Sequence, residues 1–413
     1  MCSETADRRT EVVAMTRLGS RELGRALVGI SKMHATVADS VFSGLRCVLG
    51  DSVESARAIH DTVSTGTYGA VAATVATAGR LAEIAAETTG GVPSHSSRGA
   101  TGLAILNGLI GDELAGSGSP LAPEMSIRVR GVSIEIEPAE LTDAYPHASS
   151  HLVVFLHGLM EAEYAWSGGG KPTYGARFAD DFGATEIQIR YNTGRHISDN
   201  GRELSALLTK LVLLWPVPVT EVTLVGHSMG GLIIRSACHA AADDPYWLSL
   251  VRHTVSLGTP HLGAPLAKGV HAATTVLRTT PATRPLGNLL GRRSAGVRDL
   301  FHGTLTDDGW LANEPDALRQ KRAADLELIP GARHLFVTAS LTRDPRHPLG
   351  RIIGDGMVLD GSGRGQSRSV RIGFRTEDGF HIGGANHFTL LNSDAIYAWL
   401  VEQLRPRKML PAA

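Results

Sequence analysis

Residues 221–240, EVTLVGHSMGGLIIRSACHA, are the segment that decides the fold of this chain. The opening EVTLV is apolar and β-branched, which predicts a buried strand. The closing GGLIIRSACHA has the apolar spacing of a helix. Between them, Gly226, Ser228 and Gly230 form the pattern G-x-S-x-G, in which a strand turns sharply into a helix and exposes the serine hydroxyl at the apex. The segment therefore predicts a nucleophilic serine at position 228.

Strand and helix patterns alternate on both sides of this segment. Residues 126–137 predict an antiparallel strand pair or a bent strand. Further strands are predicted at 151–158, 185–192, 253–260, 334–340 and 369–374, and helices at 174–182, 200–214, 230–242 and from about 391. Because strands joined through helices lie parallel, the predicted fold class is α/β, with a mostly parallel sheet flanked by helices.

A serine nucleophile needs a base, and two histidines near the C-terminus are candidates. His387 follows the loop DGFHIGGAN and precedes the last predicted helix, a placement that brings an imidazole over the serine. His381 is the rival and is interpreted as a residue that packs or caps the loop. We therefore predict His387 as the base, which gives the chain order serine, acid, histidine.

The base needs a carboxylate that orients its ring. Asp355, in the sequence IIGDGMV, follows the predicted strand 334–340 and has a glycine on each side. Asp344 and Asp360 are the alternatives, and both are interpreted as turn residues. Asp355 is the predicted acid, with the task of holding the histidine tautomer and stabilising the imidazolium.

The negative charge of a tetrahedral intermediate requires backbone N–H donors. The residue after the nucleophile, Met229, supplies one such N–H group in this arrangement. Leu159 follows His157 and Gly158 at the end of a predicted strand, and its N–H is the predicted second donor. His157 and His227 are interpreted as structural residues.

The composition excludes several other classes of protein. Lysine and arginine total 40 against 41 aspartate and glutamate residues, so the chain shows no basic footprint for nucleic acid. Its three cysteines, Cys2, Cys47 and Cys238, form neither a disulfide framework nor a metal motif. With no secretory signal or membrane-spanning apolar run recognised, we expect a cytoplasmic protein, peripheral to a membrane or lipid surface in one interpretation. No cofactor and no metal are predicted.

Two further regions complete the predicted organisation. Residues 1–118 have helical apolar stripes and are interpreted either as a bundle packed on the main domain or as a lipid-surface adaptor. Residues 119–413 form the predicted α/β domain, with an insertion at 264–330. Its apolar patches are interpreted either as a lid that binds an acyl chain or as a cap that only packs the domain.

The motifs VVFLHGL, VTLVGHSMGGLIIRSA, VSLGTPHLGAP, GDGMV and GANHFTLL together resemble the triacylglycerol-lipase and PGAP1-like branch of the α/β-hydrolases, over roughly residues 150–402. The resemblance implies the α/β-hydrolase fold, with Ser228, Asp355 and His387 as a triad and Leu159 and Met229 at the oxyanion positions. It implies hydrolysis of a small-molecule or lipid ester. An acyltransferase on the same fold, and a lipid-surface or granule-associated protein with an inactive hydrolase fold, stay open as alternatives, as does the oligomeric state.

Overall fold

The fold was analysed in a computed structural model of the chain. The structure describes Thr10, Glu11 and Ala14 together with residues 92–241, 246–264, 294–311, 326–344, 347, 350 and 353–405. The apolar stripes predicted before residue 91 lie outside the described residues, as do most of the apolar patches predicted at 264–330.

One mixed sheet organises the described part of the chain. Its strands are β1 (Ser126–Val129), β2 (Val132–Ile134), β3 (His151–Leu156), β4 (Thr185–Arg190), β5 (Glu221–His227), β6 (Val251–Leu257), β7 (Arg333–Ser340) and β8 (Gly379–Gly383). Their spatial order is β2-β1-β4-β3-β5-β6-β7-β8. The pairings of β1 with β2 and with β4 are antiparallel, and all the others are parallel. The predicted strand pair and the mostly parallel sheet are confirmed.

Helices connect the strands and cover both faces of the sheet. They are α1 (Ser97–Gly116), α2 (Pro138–Ala144), α3 (Tyr174–Phe182), α4 (Ile197–Leu214), α5 (Met229–Ala240), α6 (Tyr246–Ser249), α7 (Ala295–His302), α8 (Asp307–Leu311), α9 (Asp360–Gly363) and α10 (Asp394–Leu404). Short 3-10 segments lie at Pro93–His95, Glu163–Gly170, Thr376–Asp378 and His387–Leu391.

The central strands are buried on both faces, as parallel strands between helical layers must be. In β3, Val154 packs with α4 and α5 on one face, whereas Phe155 packs with α3 and α10 on the other. Both side chains are at most 1% exposed. Because consecutive residues of a strand point to opposite faces, a single apolar run such as HLVVFL supplies both halves of the core.

Helix α1 belongs to the predicted N-terminal region and is hydrogen-bonded to the sheet end and to the segment at residue 294. The Asn192 side chain donates to the carbonyl of Gly111 at 2.8 Å, and the Ser294 hydroxyl donates to the carbonyl of Gly108 at 2.7 Å. These contacts fix α1 at the carboxyl end of β4. Since this is the edge at which α/β folds bind their ligands, α1 borders the region of the predicted site.

The prediction of a strand at 369–374 is wrong. That segment forms only an isolated bridge between Gln366 and Arg371, and the last strand is β8, from a segment predicted to be a loop. Gly373 has φ +99°, which interrupts extended backbone. Gly379 weakens the strand pattern of β8 in the sequence. A Cβ at position 379 would lie 2.2 Å from the ring of Phe336, so β8 fits beside β7 only because residue 379 has no side chain.

Candidate active site

Ser228 lies at the turn between β5 and α5, as the G-x-S-x-G pattern predicts. Its backbone has φ 51° and ψ −118°, a conformation that L side chains rarely adopt. The Ser228 amide donates to the carbonyl of Leu257 at 2.8 Å, and the Ser228 carbonyl accepts from Gly231 N at 3.2 Å. The side chain is therefore presented from a strained turn that neighbouring backbone holds in place.

The glycines of the pattern are required by close backbone approach. A Cβ on Gly226 would lie 2.4 Å from the backbone nitrogen of Gly231, and one on Gly230 would lie 2.5 Å from the carbonyl oxygen of Leu156. Both obstacles are main-chain atoms, which cannot move aside as the end of a flexible side chain can. The turn can form only with glycine at these two positions.

Replacement of Gly226 by alanine should therefore destabilise the fold. We expect Gly226→Ala to lower the free energy of unfolding by about 3 kcal/mol, at the upper end of the range for overpacking. Gly168→Ala is the matched control, because a Cβ there meets no atom within 4 Å and its φ is −62°. Urea denaturation of both variants measures the difference, and equal stabilities would contradict the account of the turn.

The structure brings Asp355 and His387 together. His387 Nδ1 lies 2.7 Å from Asp355 Oδ2, and the His387 amide donates to the main-chain carbonyl of Asp355 at 3.1 Å. Both residues are 3% exposed. His387 begins a 3-10 turn whose N-cap is Asn386, which accepts from the Thr389 amide at 3.0 Å. The predicted acid and base thus form a buried pair that is joined by one side-chain and one main-chain hydrogen bond.

The orientation of the Asp355 carboxylate is fixed by its own loop. Its Oδ1 atom accepts from the amides of Met357 at 2.9 Å and Val358 at 2.7 Å. Gly354 and Gly356 have φ +61° and +97°, which lets the chain fold back around the carboxylate. Only Oδ2 is left to face the imidazole, so the ring of His387 is held with its Nδ1 proton directed at Asp355.

The other nitrogen of the imidazole is not hydrogen-bonded within the described part of the chain. His387 Nε2 is buried and has no hydrogen-bond partner among the described residues. The ring lies against Gly258, where a Cβ would lie 3.0 Å from its Cε1 and Nδ1 atoms. Because Leu257, the preceding residue, accepts the Ser228 amide, serine and imidazole lie beside the same turn. Burial acts to lower the pKa of His387, but the Asp355 carboxylate outweighs it and raises that pKa above 6.5, with a further contribution from Glu161.

The turn after β3 carries the predicted oxyanion residue Leu159. Gly158 N donates to Glu161 Oε2 at 2.7 Å, Met160 N to Thr193 Oγ1 at 3.3 Å, and Glu161 N to the Gly158 carbonyl at 3.3 Å. In this turn Leu159 N is the one amide without an acceptor among the described residues.

The geometry of the turn places it beside Ser228. Met160 has φ 59°, and a Cβ on Gly158 would lie 3.0 Å from Ser228 Cβ. Met229 is buried as the first residue of α5. Both predicted donors therefore flank Ser228.

The rival candidates are engaged elsewhere. His381 lies in β8, with Nδ1 2.8 Å from Thr338 Oγ1 and Nε2 3.1 Å from Ser340 Oγ. Asp360 forms an ion pair with Arg364, with an N–O distance of 2.8 Å. The remaining alternative, Asp344, is exposed in the loop after β7. None of these three candidates contacts His387 or Ser228 among the described contacts.

His157 supports the turn after β3 that carries the predicted oxyanion residue Leu159, in agreement with its structural interpretation. Its Nδ1 atom lies 2.9 Å from the carbonyl oxygen of Gly158, and its ring stacks on Tyr191 with centroids 4.3 Å apart. The sequence analysis missed Glu161, a carboxylate beside the serine turn. Its position could have indicated it, because Glu161 lies three residues after Gly158. A side chain at that distance can fold back onto the Gly158 amide.

Within the described ranges, no group of three histidine, cysteine, aspartate or glutamate side chains could hold a metal ion. No described helix has both the length and the apolar character needed to cross a membrane. The Cys238 thiol is free, and burial raises its pKa to about 12.

A mostly parallel sheet flanked by helices, with the serine turn at the carboxyl end of β5, defines this chain as a protein of the α/β-hydrolase fold. The family model described as the PGAP1-like alpha/beta domain matches residues 177–282, a range that contains Ser228 but neither Asp355 nor His387. No relative was found among curated proteins.

Similar solved structures include lipases and esterases. The mature form of a Bacillus licheniformis lipase has 20% identity over 60% of this chain and 91% of its own, with a TM-score of 0.37. A metagenomic carboxyl esterase has 14% identity over 62% and 77% of the two chains, with a TM-score of 0.36. Lipase B of Aspergillus fumigatus has 11% identity over 61% and 51%, with a TM-score of 0.35.

Proposed function

We propose that this protein is a serine-dependent carboxylic ester hydrolase in which Ser228 is the nucleophile, His387 the general base and acid, and Asp355 the orienting carboxylate. The observation that carries the proposal is the buried His387–Asp355 hydrogen bond of 2.7 Å beside the strained serine turn. A histidine whose one nitrogen is held by a carboxylate, and whose other nitrogen has no hydrogen-bond partner among the described residues, is suited to accept a proton.

Acylation would begin when the ester carbonyl enters beside Ser228. His387 Nε2 accepts the hydroxyl proton as Ser228 Oγ forms a bond to the carbonyl carbon, and the carbonyl oxygen becomes an oxyanion. The amides of Leu159 and Met229 donate to that oxyanion. The C–O bond to the alcohol then breaks, and the imidazolium transfers its proton to the departing alcohol oxygen.

Deacylation would use the same groups in the reverse direction. His387 Nε2 accepts a proton from a water molecule, whose oxygen attacks the acyl carbon, and the two amides again stabilise the oxyanion. The bond to Ser228 Oγ breaks, and the serine recovers its proton from the imidazolium. The products are a carboxylic acid and an alcohol, and the enzyme returns to its starting state.

Two exposed apolar side chains support an apolar substrate. Met357, two residues after Asp355, is 42% exposed, and Phe388, directly after His387, is 38% exposed. An apolar acyl or alcohol group lying over the catalytic loops would remove these surfaces from water, which is favourable at about 25 cal/mol per Å². We therefore propose esters with an apolar acyl chain as substrates, lipid esters included.

Turnover of p-nitrophenyl esters with acyl chains of increasing length tests the proposed function. We expect steady nitrophenol release, preceded by a burst equivalent to the enzyme for those esters whose deacylation is slower than their acylation. Free acid as the product in the presence of an added alcohol identifies a hydrolase, whereas a new ester would identify an acyltransferase. Nitrophenol release no faster than that of Ser228→Ala for every chain length would contradict the proposal.

The acid limb of the pH profile provides a second test. His387 must be neutral to accept a proton, and the Asp355 carboxylate raises its pKa above 6.5. We therefore expect kcat/KM to rise with pH through an apparent pKa above 6.5 and to be lost as the pH falls below it. Initial rates read at the isosbestic wavelength of nitrophenol in buffers of constant ionic strength measure this limb. An apparent pKa at or below 6.5 would count against the assignment.

A further inference from the structure

His227, inside the serine turn, connects two parts of the site. Its side chain is fully buried. Nδ1 lies 2.9 Å from Glu161 Oε2, in the oxyanion turn, and Nε2 lies 3.2 Å from the main-chain oxygen of His387, in the loop of the proposed base. The His227 ring thus connects these two loops. His227 itself directly precedes Ser228 in the chain.

Both partners of this ring are oxygen atoms that accept. The carbonyl of His387 has no proton to donate, so Nε2 must carry one. Glu161 Oε2 already accepts from the Gly158 amide at 2.7 Å. Burial opposes ionisation of Glu161, but His227 and the Gly158 amide lower the pKa of its carboxyl below the usual value. Nδ1 contacts the Glu161 carboxyl and Nε2 contacts the His387 carbonyl, so the His227 ring is hydrogen-bonded to both loops at once.

The titratable groups that face this ring come from several elements. His157 directly follows β3 and Glu161 lies in the next turn, and the two side chains interact electrostatically with each other. The centroids of the His387 and His227 rings lie 4.6 Å apart. Asp355 contacts the His387 ring at Nδ1, with its Oδ2 atom 2.7 Å away. Trp166 presents an uncharged ring, with centroids 6.3 Å apart. Glu161 is the carboxylate in direct contact with His227.

We propose that His227 is a positioning residue whose buried ring links the oxyanion turn to the loop of the catalytic base through Glu161 and the His387 carbonyl. This inference rests on the proposed function. The nucleophile, the base and the Leu159 amide would thereby keep one relative geometry. Loss of either link would displace one loop, and a displacement of about 1 Å can lower the rate on the order of 100-fold.

Two substitutions separate the two links. The amide nitrogen of asparagine can occupy the position of histidine Nδ1, so His227→Asn keeps the donor to Glu161 and loses the donor to His387. The amide nitrogen of glutamine can occupy the position of Nε2, so His227→Gln does the reverse. We expect each variant to lose about 10- to 100-fold in kcat, with KM for p-nitrophenyl butyrate changed little, because substrate contacts are untouched. A loss of kcat below threefold in both variants would overturn the proposal.

The link between His227 and the His387 carbonyl can be read independently of turnover. In protein labelled with ¹⁵N-histidine, we expect one ring whose Nε2 carries a proton protected from solvent exchange, and this signal should be absent from His227→Asn. A wild-type His227 ring without a proton on Nε2 would refute the link to the carbonyl. If the protein hydrolyses no ester while this Nε2–H signal is present, the proposed function fails and the link between the two loops stands.

Discussion

Replacement of Ser228 by alanine is expected to lower kcat/KM for p-nitrophenyl butyrate by between about 10⁴- and 10⁶-fold, because the acyl-enzyme can no longer form. Ser228 occupies a turn with φ 51°, a conformation that alanine can share with serine at similar strain. The variant should therefore fold as the wild type does, and thermal unfolding followed by circular dichroism checks this.

A matched control shows whether the loss of activity is specific to the Ser228 hydroxyl or follows the replacement of any serine. Ser133 is exposed in β2, at the far edge of the sheet from the site. Ser133→Ala should keep kcat/KM within about twofold of the wild type, since exposed substitutions away from special features have effects within about 0.5 kcal/mol. If Ser228→Ala retained a tenth of the wild-type rate, another nucleophile would have to act.

Asp355→Asn should lower kcat by about 10⁴-fold while preserving the loop, by comparison with the same substitution in other serine triads. The amides of Met357 and Val358 donate to Oδ1 of Asp355, and the oxygen of asparagine can accept them equally well. The asparagine NH₂ would then face His387 Nδ1, which could only accept. The proton of the ring would move to Nε2, and the base would be blocked at the nitrogen that must receive the serine proton.

Asp344→Asn provides the control for this carboxylate. Asp344 is exposed and was one of the alternative acids considered from the sequence. We expect its substitution to change kcat less than threefold, as a surface change does. Rates measured with the same ester at pH 8 compare the two variants, and an effect of Asp344→Asn as large as that of Asp355→Asn would invalidate the choice of acid.

The local features of the site could be read from the sequence because each depends on backbone sterics at a few positions. Gly226 and Gly230 are needed where main-chain atoms approach within 2.5 Å of a would-be Cβ, so their spacing around Ser228 is a strong signal. Asp355 between two glycines is a similar signal, because the loop must fold around its carboxylate. The mostly parallel sheet followed from the alternation of strand and helix patterns.

Other features depend on contacts between distant segments and leave little trace in the sequence. Strand β8 is GFHIG, whose glycines have low β propensity, and its place beside β7 depends on the ring of Phe336 packing over Gly379. Glu161 acquires its role only when the chain folds back so that its carboxylate meets Gly158 and His227. Neither periodicity nor a short motif contains that information.

The most direct test of the proposed activation of Ser228 by His387 is the rate at which a fluorophosphonate labels Ser228, with the modified peptide identified by mass spectrometry. We expect one adduct per chain, on the peptide containing Ser228, and a rate at least about 10³-fold slower in His387→Ala, because the hydroxyl then lacks its base. Labelling that was absent in the folded wild-type protein, or that proceeded at the same rate without His387, would contradict the proposed activation of Ser228.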